Sequence, residues 1–169
     1  AGFDAVVGNV PFGQFTLFDK AYNPDKLSIH NHFIVKSLRL TKPGGIIAVL
    51  TSRWSLDAEN PKAREVMAKY GSLLGAVRLP AGAHGETAGT DVVTDLLIFR
   101  RNDEGVIDPN SHLWVSAPTT TLAGEQLHVN QYFLDHPTDV IGELTSRMGR
   151  FGPEVTVTAP TKGLTVAVR

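Results

Sequence analysis

Apolar residues in this chain come in short runs, and the spacing inside each run separates strands from helices. Phe3 to Val7 is apolar-rich and ends at Gly8-Asn9, the pattern of a buried strand feeding a turn. Pro11 to Lys26 is irregular, with Gly13, Asn23 and Pro24 breaking any period. His30 to Leu40 places Phe33, Ile34, Ser37, Leu38 and Leu40 on one helical face, and Thr41-Lys42-Pro43-Gly44-Gly45 stops it. Ile46 to Leu50 is uninterrupted, which predicts a strand covered on both faces. Asn60-Pro61 opens a second helix, with Asn60 as cap and Pro61 where a missing N–H costs nothing. That helix runs to about Tyr70, and Gly71 is expected to end it in a left-handed conformation. Leu74 to Leu79 reads as a strand, Pro80 to Asp91 as a loop, and Val92 to Arg100 as a strong closing strand.

Alternating strands and helices predict an α/β fold, with a mostly parallel sheet and helices on both faces. The character changes after Asn102, so the expected division is 1–102 and 103–169. Residues 103–128 have no sustained period, short helices are expected over Asn130 to Asp135 and Pro137 to Leu144, and the tail is punctuated by Gly and Pro. The second part therefore reads as a small irregular extension. Only four strands are visible, and no glycine-rich loop follows an early strand to open a helix. The expectation is a partial doubly wound, Rossmann-like sheet in a fragment without the cofactor-binding half.

Composition adds limits. A chain of 169 residues with 42% hydrophobic and 20% charged residues is an ordinary globular one that can bury about 70% of its unfolded surface. The absence of cysteine excludes disulfides, thiolate metal sites and a cysteine nucleophile. No apolar run approaches the ~18 residues of a membrane span, and no secretory leader is visible, so a cytoplasmic location is expected. A net charge of -1 leans against a stand-alone DNA binder, whose affinity comes largely from phosphate contacts.

The segment with most chemistry in it is Asn9-Val10-Pro11-Phe12-Gly13, directly after the first strand. Ligands of open α/β sheets bind beyond the carboxyl ends of strands. The Asn9 side-chain carbonyl and a following backbone carbonyl can both accept from one exocyclic NH2, orienting its lone pair toward an electrophilic methyl group. Pro11 restricts Val10 to extended conformations, and Phe12 can stack on an extruded base, worth roughly 1–3 kcal/mol. Asn-x-Pro-Phe is equally a competent turn without any ligand.

Asp4 to Gly13 resembles the "D-x-V-x-x-N-P-P-F-G" segment of adenine-N6 DNA methyltransferases. Leu40 to Leu50 looks like that family's "L-x-P-G-G" passage from helix to strand. Arg78 to His84 and Gly89 to Phe99 look like the "LPxGxF…GTxVxTxILFF" block of type I modification subunits and of phage and plasmid methylase–helicase proteins. Val129 to Pro137 is similar to a later segment of the methylase–helicase group. The resemblance spans residues 3 to about 150 and implies an S-adenosylmethionine-dependent methyltransferase-like fold acting on adenine N6 in DNA. It implies Asn9, Val10, Pro11 and Phe12 as catalytic, and Asn9 as touching the cofactor S-adenosylmethionine too. Phe12, His84, Thr90, Asp91 and Thr94 are the expected substrate-binding residues. DNA is the implied partner, with a specificity subunit or a fused helicase or recognition domain; no metal and no membrane is implied. Val10 stands where the family has its first proline, which loosens the turn.

Other candidates have bland readings. His30 and His32 are two apart, which suits joint metal ligation poorly and favours solvated or capping roles. Lys62, Arg64 and Lys69 read as a solvated helix face, Arg100-Arg101, Arg147 and Arg150 as soluble surface or phosphate contacts, and Trp54 as the rim of a pocket or packing. Two other functions stay open: a methyltransferase acting on protein glutamine or RNA, and a non-catalytic scaffold that keeps the fold.

Overall fold

The computed structural model describes residues 2–11, 13, 15–83 and 92–160. Its first strand, β1 (Phe3–Asn9), is followed by α1 (Ile29–Leu40), which passes with no intervening loop into β2 (Thr41–Ser52). Ile34, Val35 and Leu38 give α1 a buried stripe, while Phe33, expected on that stripe, is 37% exposed. Thr41 ends the helix by turning extended, its hydroxyl donating back to the Ser37 carbonyl at 2.7 Å. Gly44 (φ 83°) and Gly45 then let β2 bulge, so that its pairing with β1 jumps from Phe3–Thr41 to Ala5–Ile46. A side chain at Gly45 would sit 2.7 Å from the Asp4 carbonyl, so only glycine fits this approach.

Helices α2 (Trp54–Asp57) and α3 (Lys62–Ala68) lead to β3 (Gly71–Arg78), and β4 (Thr94–Arg101) completes the sheet. Asn60 Oδ1 accepts from the Lys62 amide at 3.0 Å, the expected cap of α3. Gly71 is not a left-handed terminator. It starts β3, and a Cβ there would meet the end of the Leu38 side chain at 2.6 Å, so α1 packs closely over this position.

The strand order is β1-β2-β4-β3, with β1 and β2 parallel and β4 antiparallel to both its neighbours. The sheet is therefore mixed rather than mostly parallel. The crossover through α2 and α3 leaves a vacant position between β2 and β3, and β4 fills it running the opposite way. Among the described residues, helices cover one face only. Ile47, Val49, Ala76, Leu97 and Phe99 form one buried face against which α1 and α3 pack. The registers put Val7, Ala48 and Ile98, with Ile46, Leu50, Leu96 and Val77, on the other face, where all are half-buried or exposed. The edge strand β1 is the extreme case, with Phe3 58% and Val7 80% exposed, so the expected buried strand is an open one.

Residues beyond 102 contribute Trp114, Val129, Phe133, Val140, Val155 and Val157 to the same core cluster. Trp114 meets Phe99 edge-on at 5.6 Å and donates its indole N–H to Asp108 at 2.7 Å. The expected helix over Asn130 to Asp135 is α4 (Gln131–Asp135), capped by the Asn130 side chain. Beyond the expected elements this part contains two antiparallel hairpins, β5 (Thr119–Leu122) with β6 (Glu125–His128) and β7 (Glu143–Gly149) with β8 (Gly152–Thr158). The helix expected over Pro137 to Leu144 is a single 3-10 turn at Pro137–Asp139. Among the described residues no helix is long and apolar enough to cross a membrane.

Trp114→Ala removes a fully packed ring and its hydrogen bond. A loss of about 3–5 kcal/mol is expected in urea unfolding, enough to shift the midpoint strongly.

Candidate functional site

Three strands pointing one way and a fourth pointing back bring four chain positions to one sheet edge. The ends of β1, β2 and β3 meet there with the start of β4: Asn9, Ser52, Arg78 and Thr94. Asn9 is exposed and pairs with Leu50 at the last ladder position of β1. Val10 is buried, and its amide donates to the Leu50 carbonyl at 3.0 Å, adding one more ladder bond. A proline at position 10 has no N–H to make that bond. The valine thus anchors the turn through the sheet, and the loosening expected from the lost proline is offset by this bond. Pro11 is exposed, and Phe12 lies outside the described residues.

The exit from the turn is fastened to α1. The Ile29 amide donates to the Phe15 carbonyl at 3.0 Å, and Thr16 bridges Ser28. His30 and His32 sit under this segment at 6% and 2% exposure, so neither is solvated. His30 Nε2 lies 3.2 Å from the Ser28 hydroxyl, and His32 Nε2 lies 3.6 Å from Asp19. Burial pushes both imidazoles below the usual histidine range, against the opposing influence of the Gly13 backbone on His30 and of Asp19 on His32.

Thr94 is fully buried beside Ser52, with its carbonyl accepting from the Leu79 amide at 2.9 Å. It shares the sheet edge with Asn9 but does not face solvent there. His84, Thr90 and Asp91 lie outside the described residues. Trp54 begins α2 beyond the end of β2, 45% exposed, with the Arg53 guanidinium 3.9 Å from its ring centre. It sits on the rim of the edge.

The sequence reading missed the charged cluster below that rim. Arg78 is fully buried and grips Asp95 with two hydrogen bonds of 2.8 Å and Asp57 with one of 2.7 Å. Its guanidinium lies 4.3 Å from the Phe133 ring centre. The second Asp57 oxygen accepts from the Asn130 amide at 2.9 Å, and Arg53 approaches Asp57 at 3.5 Å. Burial alone would lower the Arg78 pKa, but Asp57 and Asp95 outweigh it and hold the group firmly protonated. A signal was present: Arg78 and Asp95 flank a loop between two apolar strands, where a lone charge needs a partner.

Arg64, expected on a solvated face, is also fully buried; it donates to the carbonyls of Val115, Ala58 and Ser55 at 2.6, 2.6 and 3.4 Å. Burial brings its pKa down to about 10, with Asp57 and Glu65 opposing. Arg101 is buried and bonded to the Tyr70 and Asn102 carbonyls, and Arg147 pairs with Glu154 at 2.8 Å, so both have partners within the fold. No group of three or more metal-binding side chains occurs among the described residues.

No protein-family model matches the chain. Over 104 residues it is 33% identical to "Defense against restriction protein B" of Escherichia phage P1, covering 59% of this chain and 4% of that protein. The type I restriction enzyme EcoKI M protein superposes with a TM-score of 0.54 at 21% identity, over 65% of this chain and 23% of that one. A Listeria monocytogenes protein assigned to the class I S-adenosylmethionine-dependent methyltransferases superposes with a TM-score of 0.48 at 24% identity, over 64% and 34%. The chain shares its α/β fold with the EcoKI M protein. It spans a small part of the phage protein and under a quarter of the M protein.

Arg78→Met strands two buried carboxylates, and a loss of about 3–5 kcal/mol is expected in chemical denaturation. The histidines give a second expectation. Their folded pKa values lie below the unfolded ones, so the unfolded chain binds more protons as pH falls through the histidine range. Stability is therefore expected to fall between about pH 7 and pH 5. Urea midpoints across that window should show a slope that His30→Gln and His32→Gln each reduce.

Proposed function

We propose that the chain is part of an S-adenosylmethionine-dependent DNA methyltransferase that methylates adenine at N6. The observation that carries this reading is the Asn9-Val10-Pro11 turn at the functional edge of the sheet. Its anchor is the Val10–Leu50 hydrogen bond, which leaves the Asn9 side chain exposed. The shared fold with the EcoKI M protein, and the phage relative named for defence against restriction, support DNA as the substrate class. A specificity subunit or a fused helicase domain is the proposed further partner.

The chain's own contribution is to hold the amino group. With the adenine extruded from its duplex, the Asn9 side-chain carbonyl and the Val10 backbone carbonyl accept its two N–H bonds. That pulls the nitrogen out of conjugation with the ring and localises its lone pair, which would then be free to meet a methyl donor. Positioning and carbonyl polarisation account for the rate gain without a general base in the first step. Phe12 is the proposed stacking partner of the base, and His84, Thr90 and Asp91 its proposed neighbours. S-adenosylmethionine supplies the electrophilic methyl group. One exposed Asn at a strand end does not make a cofactor cradle. The described residues do not fit the cofactor as a complete site, and no step is assigned through it.

Asn9→Ala should lower methyl incorporation into DNA by about 100-fold or more in the full-length protein. Because Asn9 is exposed, its urea midpoint should not move. N6-methyladenine measured by mass spectrometry is the readout, and unchanged incorporation by the variant would overturn the reading.

A further inference from the structure

The segment between the turn and α1 is rigidly built. Asn23, 5% exposed, donates to the carbonyls of Leu17 and Leu27 at 3.0 and 3.1 Å and accepts from the Leu27 amide at 2.8 Å. Asp19 accepts from the amides of Ala21 and Tyr22 and from Lys36, at 3.1–3.2 Å, tying the segment to α1. Arg39 donates to the Ala21 carbonyl at 2.7 Å. Lys26 is held in the left-handed region at φ 55°, which a lysine adopts only when its surroundings impose it.

A loop fixed this firmly turns its apolar side outward. Phe15 is 55% exposed, Leu17 37% and Phe18 88%. Beside Phe18 lies a cavity of about 340 Å³ lined by Thr16, Leu17, Asn23, Lys20 and Lys26 among others. The Lys20 ammonium stands 5.8 Å from the Phe18 ring centre. The acids of this region are engaged elsewhere: Asp19 with Lys36 and His32, and Asp25 with Lys62 at 3.9 Å. Among the described residues neither Lys20 nor Lys26 has a carboxylate partner. Residues 15–40 hold four basic and two acidic side chains, in a chain whose net charge is -1.

An exposed ring flanked by uncompensated ammonium groups suits a ligand with a flat face and a repeating negative charge. Nucleic acid with an unpaired base has both. The location agrees, because Thr16 follows Val10 by six residues and lies within about 20 Å of it along the chain. A DNA strand rises about 3.4 Å per nucleotide. The same strand can therefore reach both places within about six nucleotides.

We propose that the 15–28 loop is a stacking platform for an unpaired nucleotide of the DNA strand that carries the target adenine. Phe18 and the cavity beside it receive the base, and Lys20 and Lys26 meet the flanking phosphates. The proposal rests on the reading of DNA as substrate and adds a second contact point on it.

The test uses the full-length protein, with fluorescence anisotropy of a single-stranded oligonucleotide and of a duplex containing one unpaired nucleotide. Phe18→Ala is expected to weaken both by about 5- to 150-fold, and Phe18→Trp to restore binding. Lys20→Ala with Lys26→Ala should reduce the salt slope by about one to two. Phe18 and both lysines are exposed, so unchanged urea midpoints should confirm folding. Wild-type affinity and salt slope in these variants would overturn the platform, whatever the methylation result. Loop-dependent DNA binding by a protein that leaves adenine unmethylated would uphold the platform and sink the catalytic reading alone.

Discussion

Arg78 is the point on which the remaining structure turns. Its guanidinium holds Asp95 across the β3–β4 ladder and Asp57 on α2, and Asp57 in turn holds the first amide of the segment entering α4. Three parts of the chain, separated by 17 to 73 residues, are therefore fixed to one buried cation. Burying such groups costs desolvation that their attraction only partly returns, and apolar replacements often stabilise comparable networks. The network's distinctive product is geometry, since a planar fork accepts two carboxylates in few orientations.

That geometry bears on the exposed edge directly above. Arg53 reaches down to Asp57 and up to the Trp54 ring, so the rim of the edge is continuous with the buried network. Asn9 is positioned from the other side by the Val10–Leu50 bond, and the segment after it is fastened to the first turn of α1. The candidate adenine-holding turn thus has sheet support before it and helix support behind it. Among the described residues the sheet is covered on one side only, and the half-open apolar face lies on the Asn9 side of β1.

Much of the framework was legible. The runs at Phe3 to Val7, Ile46 to Leu50 and Val92 to Arg100 are strands, and Asn60 accepts from the Lys62 amide as expected. Strand direction was not legible, because an apolar run reads the same for a parallel or an antiparallel neighbour. Coverage failed for a related reason: Ile46 and Ile47 are equally apolar, and only the pairing register decides which one meets α1. The hairpin of β7 and β8 carried a readable Val155-Thr156-Val157-Thr158 alternation, obscured by the glycines and prolines around it. For the site, the Asn9 turn was visible from its motif and its place after a strand. Arg53, Asp57 and Arg64 were not, because a charged residue on a short helix looks solvated until distant segments close over it.

The bidentate Arg78–Asp95 pair and the Leu79–Thr94 hydrogen bond join two points of the chain directly. Between them lie 14 residues, 80 to 93, whose ends are already brought together by contacts that do not involve most of them. Closing a longer excursion between two such pinned points costs only about 0.6 kcal/mol for each doubling of length. Added length between the two pinned ends therefore costs the sheet little.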